Sequence, residues 1–462
     1  MLLIALISYS TLLLLISFWA QRKIRDEEDY VVAGRKLSFG VTTATLLATW
    51  FGAGTLLTAT DEIAAEGLRV VALEPVGAGL CLVVAGIWFA KPLWELKIFT
   101  LADFFKSRYG VRAEMLQIVT MLPSFVGWIA VQLTALAGIF NVLFGWEIPV
   151  TIVGIGLFAL LYTWMGGMWS VSLTDAFQLS LMISGIAILA WHVVTDLSAV
   201  NGSIEGLKEL WAKTTVERKQ WIPLHQSREL AEWFGWLSVA MLGNLPSQDL
   251  AQRIFAAKSG QVAQRASCTA GVLYLVLGAV PVLLGMCFPV LFPQGDSSAV
   301  VIQMARHYFS DAMMIVFLLA VVSMVLSSMD SGILAPATVL GRNLFRKWAP
   351  DSISSLALCR WGVLMIAAIS VGVALMGSGA FELLESSYSI GLVGFLVPLA
   401  FGLFSKLGNQ TSALLSMGVG IGVWLVELLF GVEWPLAPLG AILALLVFYI
   451  HGRWFADSVP DS

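Results

Sequence analysis

The chain has 462 residues, of which 58% are hydrophobic and only 12% charged, with a net charge of −4. A soluble domain carries about 25% charged residues, so the composition excludes an ordinary soluble domain and offers no basic surface for nucleic acid. The four cysteines, Cys81, Cys268, Cys287 and Cys359, are scattered through apolar stretches with neither a CxxC pair nor metal-ligand spacing. They read as small buried hydrophobes.

The apolar residues fall in runs of about 20, enough to cross a hydrocarbon core about 30 Å thick. Thirteen spans are predicted, at roughly 1–20, 38–60, 70–90, 114–142, 148–166, 171–194, 230–256, 265–292, 310–340, 357–377, 381–403, 410–431 and 435–452. The first lacks a basic n-region and a small-residue cleavage site, so it reads as a retained helix rather than a signal peptide. Two spans are interrupted midway. Span 2 breaks at Ala48-Thr49-Trp50-Phe51-Gly52-Ala53-Gly54 and span 7 at Gly243-Asn244-Leu245-Pro246-Ser247-Gln248. In lipid an unwound turn survives only where it lines a protein cavity, because its backbone groups need partners. Paired interruptions in two halves of a membrane protein point to a transporter's binding site. Spans 2–6 and 7–11 each make five helices that begin with a broken one, and an odd count inserts the second set upside down. An inverted repeat is expected.

Lys and Arg placement sets topology. With the N-terminus outside, 19 of the 26 Lys and Arg lie on the inner side, and five of the remaining seven sit in one loop, 195–229. The C-terminus is then cytoplasmic, in an inner or plasma membrane. The loop holds Leu207, Leu210, Trp211 and Trp221 among charges and should form short surface helices. The expected organisation is an N-terminal flanking helix and cytoplasmic loop (1–37), a first repeat (38–194), the extracytoplasmic loop (195–229), a second repeat (230–403) and C-terminal flanking helices (404–462).

GxSxG, HExxH, P-loop and GxGxxG signatures are absent as placed motifs, so an enzyme is not expected. The four histidines, His192, His225, His307 and His451, fall at span ends or in loops. Polar groups inside spans are more informative. Span 9 reads Met324-Val-Leu-Ser327-Ser328-Met-Asp330-Ser331-Gly332. A lone hydroxyl in lipid commonly bonds back to the carbonyl one turn earlier, but here two adjacent hydroxyls face an expected helix break. Na+ is a hard cation and takes about five or six oxygens, by analogy with other hard ions. Carbonyls at Ala48 and Phe51 with the hydroxyls of Ser327 and Ser328 supply most of that shell. Asp175, near the inner end of span 6, is either a functional intramembrane carboxylate or a hydrated helix cap. Trp50 and Trp128 lie in cavity-lining spans, where indole faces attract cations; the alternative is core or interfacial packing, since the chain has 18 Trp.

Several stretches resemble the sodium:solute symporter family over roughly residues 20–410: Asp29-Tyr-Val-Val-Ala-Gly34-Arg35, Thr100-Leu-Ala-Asp103-Phe-Phe-Lys106-Ser-Arg108-Tyr-Gly110, the run from Gly166-Gly167 through Ser170 and Thr174-Asp175 to Gln178, Gln252-Arg253, and Ser327-Ser328-Met-Asp330-Ser331 followed by Arg342-Asn343-Leu344. The resemblance implies an all-α membrane fold with a LeuT-type core of two five-helix inverted repeats and flanking helices. It implies a Na+ site at Ala48, Phe51, Met324, Ser327 and Ser328, the first three through backbone carbonyls. It also implies a second ion site or gate at Asp175 with span 9 hydroxyls such as Ser331, although Asp330 stands at one of those hydroxyl positions. Ala48-Thr49-Trp50, Phe89-Ala-Lys91-Pro92 and Leu161-Tyr-Thr-Trp-Met-Gly-Gly are locally similar to the choline branch. Trp50 and Trp128 match two aromatics of that branch's ammonium cage, while Ala78 and Ser247 stand where two others are expected.

The function expected is Na+-coupled transport of a small amine, amino acid or zwitterion by alternating access. The solute would bind at Trp50, Trp128 and the turn Asn244, Ser247 and Gln248. The partners expected are Na+, the solute and the lipid bilayer, with no nucleic acid and no obligate protein. A proton-coupled or uncoupled carrier of the same fold is an alternative. So is a membrane sensor that signals through a partner, since the sequence ends at Ser462 about ten residues after the last span.

Overall fold

The computed structural model describes residues 1–198, 203–377, 389–432 and 434–454. Among these the regular elements are all helical, and one isolated bridge joins Leu37 to Ala257. In chain order the main helices are α1 (Leu2–Gln21), α2 (Phe39–Trp50), α3 (Gly54–Glu66), α4 (Leu68–Glu95), α5 (Leu101–Tyr109), α6 (Val111–Phe144), α7 (Ile148–Ser198), α8 (Ser227–Gly243), α9 (Gln248–Ala256), α10 (Gly260–Leu291), α11 (Asp311–Val339), α12 (Ser355–Met376), α13 (Gly391–Phe404), α14 (Gln410–Phe430) and α15 (Ala437–Trp454). The loop expected to carry surface helices has two, Ser203–Lys213 and Val216–Lys219. The sequence expectation at 381–403 begins in residues outside those described; α13 is its described part.

Among the described residues, length and apolarity qualify nine helices to cross a membrane, or ten if the bent pair α2 and α3 counts as one span. The expected thirteen is a larger number. It is reached only by dividing α7 and by adding the α8–α9 pair and α13, which fall short of those criteria alone. The division of α7 has a physical basis. The apolar stretch Ile148–Asp196 has 49 residues, about 74 Å of helix against a core of about 30 Å. Its backbone leaves the helix at Gly167 (φ 48°, ψ −147°). A side chain at Gly167 would collide with the ring and carbonyl of Tyr30, so the turn needs a residue without Cβ.

Helix α11 is the axis of the molecule. Every residue from Ala320 to Val339 is buried, so its serines and Asp330 must find partners in protein rather than water. At one end of the bundle, Arg342 pairs with Glu27 at 3.0 Å and Asp103 at 3.1 Å, Lys347 pairs with Glu114 at 2.8 Å, and Asn343 donates to Asp103 and Glu114. Arg35 donates to the carbonyls of Lys97, Ile98 and Phe255 at the same end. At the opposite end, Arg218 donates to the carbonyls of Ile63 and Ala64, and Asp61 accepts the amides of Ala299 and Val300. Both ends are therefore tied, with the two broken helices between them.

Candidate functional site

The first break forms because the last turn of α2 closes early. The Phe51 amide bonds to Leu47 O at 2.9 Å, and the backbone then leaves the helix (φ −80°, ψ 73°). The Gly52 amide turns back to Trp50 O at 3.0 Å, so the Ala48 carbonyl loses its regular helical donor. The Ala53 amide is capped by Gln132 Oε1 of α6 at 3.0 Å. The chain restarts as α3 at an angle of 55°. A Cβ on Gly52 would run into Ser328 Oγ, so this glycine lets α11 approach the break.

Of the two serines expected at the break, Ser328 of α11 touches it, and Ser327 turns to Asp175. Ser328 Oγ donates to Thr49 O at 2.8 Å, and Ser327 Oγ donates to a carboxylate oxygen of Asp175. A hydroxyl that donates keeps its lone pairs as ligands. Met324 lies one turn earlier on the same buried helix. Asp175 is fully buried, which removes the hydrated-cap alternative: Thr45 Oγ1 and Ser327 Oγ both donate to it. Arg253, the largest fully buried side chain, lies 3.9 Å from Asp175. It also donates to Asp249 O at 3.0 Å, to Thr45 O at 3.3 Å and to Ser331 Oγ. Ser331 Oγ is 3.0 Å from both Thr49 Oγ1 and Asp330 Oδ1. One guanidinium thus stands among two buried carboxylates, Asp175 and Asp330. The sequence reading singled out Asp175 and Ser331 here and did not assign Arg253 a role.

The second break lies between α8 and α9, where the amides of Leu245 and Ser247 bond to Leu242 O and Asn244 O. Beside it lies a cavity of about 60 Å3, lined by residues that include Trp50, Glu74, Phe125, Trp128, Asn244, Ser247, Gln248 and Asp249. All five expected solute contacts meet on this one cavity. Gln248 differs from the others, since its side-chain amide also holds the α5 entry, accepting from the Leu101 amide at 2.8 Å and donating to Phe99 O at 3.3 Å.

Two lining carboxylates went unread in the sequence. Asp249 is buried; it accepts Trp50 Nε1 at 2.9 Å and the Ser247 hydroxyl. Glu74 is buried and accepts Tyr274 Oη at 2.7 Å and Thr55 Oγ1 at 3.2 Å. Pro75 disfavours helical backbone at the residue before it, and Glu74 is extended (φ −133°, ψ 130°) within α4. The signal for Glu74 was an acid followed by proline inside an apolar run.

Broken helices meeting at mid-bundle around a binding cavity are the architecture of secondary transporters. The sodium:solute symporter family model matches residues 30–420, and the chain belongs to that family. It is 28% identical over 369 residues to the high affinity choline transporter 1 of Homo sapiens, covering 74% of this chain and 62% of that protein. It is 23% identical over 449 residues to the sodium/glucose cotransporter of Vibrio parahaemolyticus, covering 89% and 82%. The chain thus spans less than two thirds of the human relative's length. Among solved structures, a substrate-bound, outward-open Na+-coupled sialic acid symporter superposes with a TM-score of 0.81 at 18% identity, covering 98% of each chain. A nucleobase-cation-symport-1 family transporter in a closed conformation gives 0.64 at 17%, covering 93% and 95%. At these identities the structures establish the fold, an all-α integral membrane protein with the LeuT-type core of two inverted five-helix repeats.

Proposed function

We propose that this protein is a Na+-coupled secondary active transporter of a small organic cation, working by alternating access, with its N-terminus outside and its C-terminus in the cytoplasm. The observation that carries the reading is that one short turn of α2 serves two sites. Its Thr49 carbonyl accepts the Ser328 hydroxyl, and its Trp50 indole lines the solute cavity. Na+ is a transported ion here, held by the Ala48, Phe51 and Met324 carbonyls and the two serine hydroxyls. A cation ligated there joins α2 to α11 and fixes the turn that presents Trp50. Solute binding in turn fixes the carbonyls, so each raises the other's affinity by the same factor. Trp50 and Trp128 supply π faces for the positive nitrogen, and the lining acids fit a cation better than the amino acid or zwitterion weighed from sequence. The choline transporters among the relatives point the same way.

Uptake into proteoliposomes tests this. An inward Na+ gradient should drive accumulation of a labelled amine, and K+ in its place should not. Equal uptake in Na+ and K+ would remove Na+ coupling. The proton-coupled alternative draws support from the Asp175, Asp330 and Arg253 cluster, whose two acids and one base leave an unbalanced buried charge. Accumulation driven by a pH gradient in Na+-free buffer would favour it.

A further inference from the structure

The chemistry of the solute nitrogen follows from how the cavity wall is built, given the organic-cation reading above. Ala78 and Ser247 are small, and among the described residues the aromatics on the cavity wall are Trp50, Phe125, Trp128 and Phe395. Beside these rings the wall carries two carboxylates, Glu74 and Asp249. Asp249 stands in the first turn of α9, and its two oxygens are oriented by Trp50 Nε1 and Ser247 Oγ. Each carboxylate oxygen has two acceptor sites, so both retain capacity for a further donor. Glu74 lines the same cavity and reaches Trp50 from the other side, through Tyr274, which donates to Glu74 and lies 3.3 Å from Trp50 O. Among the described residues that line the cavity there is no Lys, Arg or His. A buried acid in a membrane segment needs a partner of opposite charge or a set of donors, and this wall has no basic side chain to provide the charge.

We propose that the solute is a primary or secondary amine cation whose N–H groups are accepted by Asp249, with Glu74 completing the negative wall, and that a quaternary ammonium is discriminated against. A quaternary nitrogen has charge but no N–H. It would cover the Asp249 oxygens without donating to them, and a site built to hydrogen-bond a substrate N–H rejects the analogue that lacks it. An N–H to carboxylate bond is charge-assisted, the stronger class of hydrogen bond.

The test uses the purified full-length chain in Na+ and measures thermal stabilisation, which reports affinity, for 2-aminoethanol and its N-methyl, N,N-dimethyl and N,N,N-trimethyl forms. The expected result is progressive loss, reaching at least about 10-fold between the unmethylated and trimethylated compounds. Asp249→Asn should lower the affinity for 2-aminoethanol by a similar factor and flatten the series, and Glu74→Gln should do so more weakly. The wild-type series decides the matter even if a variant fails to fold. Equal or tighter binding of the trimethyl compound would overturn this proposal and leave the organic-cation reading standing. Stabilisation by Na+ with no response to any of the four compounds would overturn both.

Discussion

Replacing Ser327 by alanine deletes one oxygen with two duties. Its hydrogen is donated to Asp175, and its lone pairs belong to the proposed Na+ shell. Removing one ion ligand costs on the order of 1–2 kcal/mol, which raises the Na+ concentration for half-maximal uptake by about 5- to 30-fold. Removing a hydrogen bond to a buried charged group costs about 1.5–3 kcal/mol of stability. Thr45→Val separates the two effects, because Thr45 also donates to Asp175 but lies outside the proposed Na+ shell. Both variants should lose comparable thermal stability in detergent, while only Ser327→Ala shifts the Na+ titration of uptake. The reasoning is refuted if the two titrations shift alike, or if Ser327→Ala leaves the Na+ dependence where it was.

Arg253→Met strands two buried carboxylates and should destabilise by about 3–5 kcal/mol. Adding Asp175→Asn should restore part of that in a thermal melt, and a double variant as unstable as the single one would count against the pairing. Gly52→Ala drives a methyl into Ser328 and should cost about 1–3 kcal/mol and the stabilisation by Na+. Gly138→Ala, where nothing lies within 4 Å, is the control and should change neither. Trp50→Leu removes both the ring quadrupole and the donor to Asp249 and should weaken amine binding by roughly 0.5–2 kcal/mol from the ring alone. Trp50→Phe keeps a π face, so its loss should be smaller; equal losses would assign the effect to the indole N–H.

The breaks were legible because they leave a mark in one dimension. Glycines and a proline interrupt apolar runs at Phe51–Gly54 and Gly243–Pro246, and lipid leaves such turns few places to go. The five cavity residues followed from those breaks and the tryptophans. The acids and the arginine did not. Asp249 follows Ser247 at the start of α9, where an acid reads as an ordinary first-turn residue stabilised by the helix dipole. Arg253 reads in sequence as one more basic residue counted toward the inner side, yet it is buried against Asp175 on α7 and Ser331 on α11, which are far away along the chain. Its role depends on three helices meeting, and no local pattern encodes that. Asp175 was visible as an intramembrane acid, but only packing shows that it faces Thr45 and Ser327 rather than water. The thirteen spans read from apolar runs are not matched helix for helix, because α8, α9 and α13 are each too short to qualify as a span alone.

The α2 turn has a consequence for leakage. For the proposed carrier, ion ligands and solute contact are separated by only a few peptide units between Ala48 and Gly52. Trp50 is held at its ring nitrogen by Asp249, and its carbonyl lies 3.3 Å from the Tyr274 hydroxyl. A turn held this way has little slack, so an ion arriving alone leaves Asp249 and the indole without the load they are shaped around. Slippage, the passage of Na+ without cargo, is then set by the stiffness of a few residues rather than by the depth of either site. Loosening the Trp50–Asp249 contact would waste the gradient even where both binding affinities were preserved.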